Sequence, residues 1–502
     1  MLLAAGVAAT DGCKGSPAST PPVADAGGDA IDAADAADAA GATDAFDAGF
    51  AGSHLEDLQR AHVELRFGMF IHFGILTYTG MWAQPNLDIT QFNPANLDPN
   101  QWADAAVAAH MTYGVLTTRH HDGFALWDSQ AGTFDVGSIP WMNGQGDVVR
   151  AYVDAFRAHG LLPGLYYSIW DATEGVGNMG AKTAATPAQM AYIETQLTEL
   201  LTNYGPIPLL VIDGWSWKMG HRKVDYEEIR RLVKSLQPDC LLVDNTHLFN
   251  PWENDLVADE EAEGNIFIAP DNTYPAMQMQ KINAGGGNDW FWAPNITDLL
   301  STTSIVNGHL KVLEPRWTNF LLNCPPNRDG LLDDAIVSQL ADVGANWSPD
   351  PTRPPLPPQG PQILHPYDPA GATATSGFAY GAIDGINDFY NYSTWESVGP
   401  LPQAITIDLG AVQSDVSIVN YVPQNVAYMG PVADGAITAY EIATSVDGAA
   451  FTTVAKGDWP ADGKMKTAAF PPTVARFVRV TANAANGPDA VATEIAVGSR
   501  LE

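Results

Sequence analysis

From His54 to Trp347 the sequence repeats one unit: a short apolar run, a polar or glycine-rich loop, then an amphipathic segment. The apolar runs are Phe67–Gly74, Gly114–Arg119, Leu161–Ser168, Pro208–Gly214, Cys240–Asn245 and Asn319–Pro325. Their length and composition predict strands. Between them Asn100–His110, Asp147–His159, Pro187–Tyr204, Tyr226–Leu236 and Asp333–Ala345 carry helical periodicity. Thr186-Pro187 is a helix start, an N-cap followed by proline in the first turn. Alternating strands and helices over this length predict a (β/α)8 barrel, with the seventh and eighth units blurred between Asn265 and Asn307. A barrel gathers its chemistry at the C-terminal strand ends. Those ends read His72-Phe73-Gly74, Arg119-His120-His121-Asp122, Tyr166-Tyr167-Ser168, Asp213-Gly214-Trp215, Asp244-Asn245 and Asn323, every one polar or aromatic.

The densest of these is Tyr113–Ser129, YGVLTTRHHDGFALWDS. A buried strand, Val115–Thr118, runs into Arg119, His120, His121 and Asp122, and Gly123 lets the chain turn away. Phe124 and Trp127 follow. Paired imidazoles donate to and accept from hydroxyl groups, and aromatic faces cover the apolar side of a pyranose. The stretch therefore reads as the lip of a sugar pocket; the alternative is a strand end whose histidines only cap loop backbone. Asp213 is the leading nucleophile candidate: it closes an apolar run, precedes Gly214 and is followed by Trp215 and Trp217. The competing reading is a helix N-cap. A metal site on His120, His121 and Asp122 is disfavoured, because neighbouring residues of a strand point to opposite faces unless the strand has ended.

The net charge of −34, from 24 basic and 58 acidic residues, argues against nucleic acid or an anionic membrane surface as partner. Residues 1–50 hold eight aspartates and one lysine among Ala, Gly, Pro and Ser, a composition that predicts a disordered tether. Met1–Ala9 resembles the apolar core of a signal peptide without its basic flank, which favours a secreted, cell-surface or periplasmic location. Whether Cys13 carries a lipid stays open. Cys240 and Cys324 lie in strand-like runs and are expected as buried thiols rather than zinc ligands or a disulfide. No stretch has transmembrane length. The proline-rich Ser348–Gln362 predicts a stiff linker between a catalytic unit at 51–347 and a second domain at 363–502. That second domain holds short strands, Ala404–Leu409, Ser417–Tyr421, Ala439–Ser445, Phe451–Ala455 and Ala475–Ala482, separated by turn residues: an all-β sandwich.

Several of these pieces together, FGMFIHFG (Phe67–Gly74), YGVLTTRHHDGFALWDS, GLYYSIWD, PLLVIDGWSW and NFLLNCPPNRDGLL, resemble the α-L-fucosidases of glycoside hydrolase family 29. The resemblance implies retaining hydrolysis of α-L-fucosides on fucosylated oligosaccharides or glycoconjugates, with no catalytic cofactor. Asp213 matches the family's nucleophile. Retaining chemistry needs a second carboxyl group about 5–5.5 Å away. The stretch DLVADE selects Glu260 as acid/base, with Glu261 and Glu263 as alternatives. His72, His120, His121 and Tyr167 match positions that bind fucose hydroxyls or flank the nucleophile. Trp292 would form a wall against the sugar methyl group, and Trp82 and Trp127 would line the pocket. Phe73, Arg119 and Ile212 depart from the family's usual residues, so the linkage preference stays open. A glycan-binding protein on a decayed barrel is the other reading.

AIDG, STWES, AITIDLG, YEIATSVDG and ARFVRV resemble a discoidin-type sandwich (coagulation factor 5/8 type C, similar to carbohydrate-binding module family 32). Such modules often carry a structural Ca²⁺, for which Asp384 and Glu494 are the candidate side chains. Every candidate catalytic residue precedes the linker. The sandwich is therefore expected to be dispensable for chemistry, serving either packing or glycan binding.

Overall fold

The computed structural model describes residues 54–177, 184–215, 217–221, 223–245, 254–261, 268–284, 290–294, 298–385, 393–424 and 434–500. The tether, Cys13 and Glu263 lie outside them. Eight parallel strands make one sheet: β1 (Phe67–Ile71), β2 (Tyr113–Arg119), β3 (Leu162–Ser168), β4 (Leu209–Asp213), β5 (Leu241–Asp244), β6 (Val257–Glu261), β7 (Ala276–Lys281) and β8 (Thr318–Asn323). Their order, β5-β4-β3-β2-β1-β8-β7-β6, is a barrel rolled almost closed. Among the described residues no ladder joins β5 to β6; one backbone bond, Asp255 N to Leu242 O at 3.1 Å, and several side chains bridge the seam. Asp255 Oδ2 accepts from Leu242 N at 2.8 Å, and Asn254 Oδ1 accepts from Asp244 N at 3.0 Å.

Helices α1 (His54–Val63), α2 (Pro99–Ala108), α3 (Val148–Ala158), α4 (Pro187–Asn203), α5 (Tyr226–Leu236) and α6 (Asp334–Asn346) surround the sheet. The starts of α2 to α5 are written in the sequence. Asp98, Asp147, Thr186 and Asp225 each accept a hydrogen bond from a first-turn N–H, and Thr186 forms a full capping box with Gln189. Strand side chains alternate between two apolar layers. Phe70, Val115, Tyr166, Val211, Val243, Ala258, Met279 and Leu321 fill the barrel. Ile71, Leu116, Tyr167, Ile212 and Leu322 pack outward under the helices. Cys240 and Cys324 are buried free thiols, the first pushed up to about 12 by burial.

The linker is less a spacer than a strap across the N-terminal end of the barrel. Prolines have no N–H to join a ladder, and barrel side chains bond the strap's carbonyls instead. Trp317 Nε1 donates to Pro354 O at 3.1 Å, Arg66 Nη1 to Asp350 O at 2.7 Å and Arg60 to Leu356 O, while Leu356 itself is buried. The second domain pairs β9 (His365–Tyr367), β10 (Gly371–Ala374), β12 (Gln403–Val422), β13 (Ile437–Ser445), β14 (Thr452–Asp458), β15 (Lys466–Ala485) and β17 (Glu494–Ser499), all antiparallel. The path runs β14-β13-β15-β12-β17-β9 with β10 on β12, and β11 (Trp395–Glu396) pairs separately with β16 (Val491–Ala492). Bulges bend β12 and β15 over a core that includes Trp395, Tyr421 and Phe470. No helix among the described residues is long and apolar enough to cross a membrane.

Candidate active site

Two residues past the last apolar side chain of the barrel interior, each strand turns the same face inward again. His72 follows Phe70, Asp213 follows Val211, Asn245 follows Val243, Glu260 follows Ala258 and Asn323 follows Leu321. The top rung of an apolar core is therefore polar, and it is buried: Asp213 is 6% exposed, His72 4%, His120 7% and His121 3%.

Asp213 closes β4 and is held from three sides. Tyr166 Oη donates to its Oδ2 at 2.8 Å. Gly214 N and Trp217 Nε1 donate to its Oδ1 at 2.5 and 2.6 Å. Three donors on one carboxylate fix its direction. Gly214 takes a left-handed φ of 69°, and a Cβ there would lie 2.6 Å from Trp170 Cβ, so the turn after the carboxylate admits no side chain.

The three histidines surround this group as neutral rings. Burial pushes His72 and His121 down to about 3, and holds His120 well below its ordinary value. Hydrogen bonding fixes two tautomers. Asn323 Oδ1 accepts from His72 Nδ1 at 2.8 Å. Ser168 gives its proton to Trp170 O at 2.6 Å, so its Oγ accepts from His121 Nδ1, also at 2.6 Å. His121 Nε2 is then a bare acceptor facing Asp213 Oδ2 across 3.7 Å. His120 Nδ1 has no hydrogen-bond partner among the described residues and stands 4.0 Å from Asp122 Oδ2. Burial pushes Asp122 up to about 7, against the pull of the Phe124 N–H it accepts at 2.8 Å. An array of neutral donors and acceptors beside one fixed carboxylate suits a polyhydroxylated, uncharged ligand.

Glu260, on β6, enters the same space. Asn245 Nδ2 donates to its Oε2 at 2.8 Å, and its charge acts on His72, His121 and Tyr166. Glu261 also lies in β6, but its side chain, like all of Glu263, falls outside the described residues.

Several expected pocket residues stand elsewhere. Tyr167 faces outward: its hydroxyl donates to Gln196 Oε1 at 3.0 Å and Arg119 covers its ring at 4.1 Å. The contact with the nucleophile candidate belongs to Tyr166, one residue earlier and so on the opposite face. Trp127 is buried against α4, its Nε1 donating to Glu199 Oε2 at 2.8 Å, and is packing rather than pocket wall. Trp292 donates to Asp333 Oδ2 at 2.7 Å and stacks under Arg328. The rings beside His72 are instead Trp290 and Phe291, with centroids at 5.1 and 5.3 Å. Trp82 stands at the rim, 40% exposed and 5.5 Å from the His121 ring. Sequence reasoning passed over Trp170, which stacks on His121 at 4.7 Å, and Lys218, whose Nζ lies 4.0 Å over the Trp170 ring. In the sandwich, Asp384 accepts from Ser393 Oγ, and Glu494 Oε2 accepts from Gly385 N at 3.3 Å.

A family model described as alpha-L-fucosidase matches residues 86–348, more than half of the chain, and the F5/8 type C domain model matches residues 370–495. Alpha-L-fucosidase 1 of Arabidopsis thaliana is 28% identical over 295 residues, covering 55% of this chain and 56% of that protein. The chain thus spans little more than half the length of this relative. The alpha-L-fucosidase of Dictyostelium discoideum is 24% identical over 329 residues, covering 57% of this chain and 68% of that one. Among solved structures, alpha-L-fucosidase isoenzyme 1 from Paenibacillus thiaminolyticus shares the fold, with TM-score 0.50 and 23% identity over 89% of this chain and 99% of that one.

Proposed function

From the premise that this chain belongs to the α-L-fucosidase family, we propose that it is a retaining exo-α-L-fucosidase acting on fucosylated oligosaccharides or glycoconjugates. Asp213 attacks the anomeric carbon while Glu260 gives its proton to the departing glycosidic oxygen. Glu260, now a carboxylate, takes a proton from the water that attacks the same carbon, and the bond to Asp213 breaks. Neutral His72, His120 and His121 bind sugar hydroxyls. Trp290 and Phe291 offer the apolar surface that the methyl group of a 6-deoxy sugar needs. The observation that carries this reading is the environment of Asp213: a buried carboxylate fixed by Tyr166, Trp217 and Gly214, facing the bare His121 Nε2, with Glu260 held by Asn245 at the end of β6.

The test is turnover of an aryl α-L-fucoside. Asp213→Asn should nearly abolish it in a folded protein. Glu260→Ala should slow it severely, with added azide restoring part of the rate, because a small anion attacks the glycosyl-enzyme without base help. Near-wild-type kcat in Asp213→Asn refutes the nucleophile. Azide rescue in Glu261→Ala or Glu263→Ala but not in Glu260→Ala reassigns the acid/base. For the sandwich, Asp384 and Glu494 are the proposed side-chain ligands of a structural Ca²⁺, supported by two carboxylates gathered around Ser393 and Gly385. A melting temperature unmoved by chelator argues against that ion.

A further inference from the structure

The sandwich and the last residue of the linker touch the barrel at several points. His365 Nε2 lies 3.3 Å from Glu227 Oε1 at the start of α5, Lys464 Nζ lies 2.6 Å from Asp271 Oδ2, and Gln59 Nε2 donates to Gln362 Oε1 at 3.0 Å. These contacts fasten one domain to the other and reach no candidate catalytic group. A fourth contact does. Gly385 of the sandwich lies against His221, in the loop that leaves Asp213 and returns to α5.

His221 is fully buried and donates its backbone N–H to Gly385 O at 3.4 Å. Gly385 sits at φ +71°, and a Cβ there would lie 2.9 Å from His221 N and 3.1 Å from His221 Cβ. From the other side, Glu494 Oε2 accepts from Gly385 N. The His221 ring continues the path into the barrel. Its Nε2 is 2.5 Å from Asp244 Oδ2, its face stacks on Tyr226 at 4.6 Å and its edge meets Trp215 at 4.9 Å. Trp215 O in turn accepts from the N–H groups of Met219 and Gly220 at 2.8 and 3.0 Å, closing the loop on which Trp217 reaches Asp213. Asp244 precedes Asn245, the donor to Glu260. One sandwich glycine thus backs the segments that orient both carboxylates.

Resting on the fucosidase reading above, we propose that Gly385 is a positioning residue for that reaction: its backbone, seated on His221, holds the Gly214–Val224 loop so that Trp217 stays bonded to Asp213. The sandwich is then part of the catalytic apparatus, although every catalytic group precedes the linker. A displacement of about 1 Å in such a support is enough to cost on the order of 10²-fold in rate.

The experiment compares full-length variants on an aryl α-L-fucoside, with circular dichroism and melting to establish folding. Gly385→Ala should lower kcat at least tenfold with KM within twofold of wild type, since the sugar-binding histidines are untouched. Gly410→Ala is the control. It imposes the same left-handed strain (φ +76°) in the same domain, but its Cβ would meet only Ala370, and its kcat should stay within twofold. Should Gly385→Ala fail to fold, His221→Phe reports on the same link: it keeps a ring against Trp215 and Tyr226 and loses the bond to Asp244. The same fall in kcat at unchanged KM is expected there. A folded Gly385→Ala with the kcat of Gly410→Ala overturns the proposal, as does a folded His221→Phe with wild-type kcat. A wild-type protein that releases no fucose overturns the functional reading first, and this inference with it.

Discussion

Mild acid should weaken the fold through the histidine cluster, in a way that two substitutions separate by sign. An imidazole kept neutral by burial takes up its proton only after unfolding once the pH drops below about 6.5. Its effect on stability is nil above that value and grows as the pH falls, down to the folded value of about 3 for His72 and for His121. Each proton differentially bound costs about 1.4 kcal/mol per pH unit, so each of these rings removes about 2 kcal/mol by pH 5. Asp122 works the other way. Its carboxyl, pushed up to about 7, holds a proton in the fold that the unfolded chain has lost, so stability is present at low pH and is lost as the pH rises through 7. Between pH 7 and 5 it returns about 2 kcal/mol. Urea unfolding followed by near-ultraviolet circular dichroism at the two pH values isolates each part. The loss from pH 7 to 5 should shrink by about 2 kcal/mol in His72→Asn and grow by about 2 kcal/mol in Asp122→Asn. If all three proteins lose the same stability over this step, His72 and Asp122 titrate normally in the fold, and the pocket is not the dry array of neutral rings argued here.

Tyr166→Phe removes one of three donors to Asp213 and should lower kcat on an aryl fucoside by about 100-fold, the lower end of what losing one preorganised donor to a reacting charge costs. Tyr167→Phe should leave kcat near wild type and cost stability instead, because its hydroxyl bonds only Gln196 among the described partners. Asp255 bridges the β5–β6 seam to α5, with Arg230 Nη1 at 2.7 Å and Lys234 Nζ at 2.8 Å. Asp255→Ala strands two buried cations and should destabilise the protein by about 3–5 kcal/mol, read by urea unfolding.

The barrel was legible wherever a strand is apolar on both faces, because a continuous run of such residues has few other homes. The two strands that the apolar runs do not reveal fail that condition, and only β7 lies in the expected stretch between Asn265 and Asn307; β6, at Val257–Glu261, lies before it. In β7, AMQMQK sends methionines into the barrel and keeps Gln278 and Gln280 among buried polar groups, so no apolar run forms. In β6, VADEE carries three acids in its five residues. Helix starts were legible for a local reason: Asp98, Asp147, Thr186 and Asp225 act on donors within three residues of themselves.

The site was legible as a set of strand ends but not as a set of directions. Both faces of β3 are buried, one against the interior and one against α4, so composition gives no sign of whether Tyr166 or Tyr167 points inward. Asp213 supplies the missing phase. In a parallel pair, residues in register share a face, and Tyr166 pairs with Val211 while Ser168 pairs with Asp213. A carboxylate assigned to the interior therefore drags Tyr166 inward and sends Tyr167 out, given a register that no single strand contains. Trp127 and Trp292 fail for a related reason. Each lies in a loop, where no alternation applies, and each has a polar end that found a carboxylate, Glu199 or Asp333, away from the pocket. The contact between Gly385 and His221 is further still from sequence reasoning: a glycine in AIDG reads as a turn, and only the docked domains reveal that its missing side chain is what lets the backbone reach the loop behind Asp213.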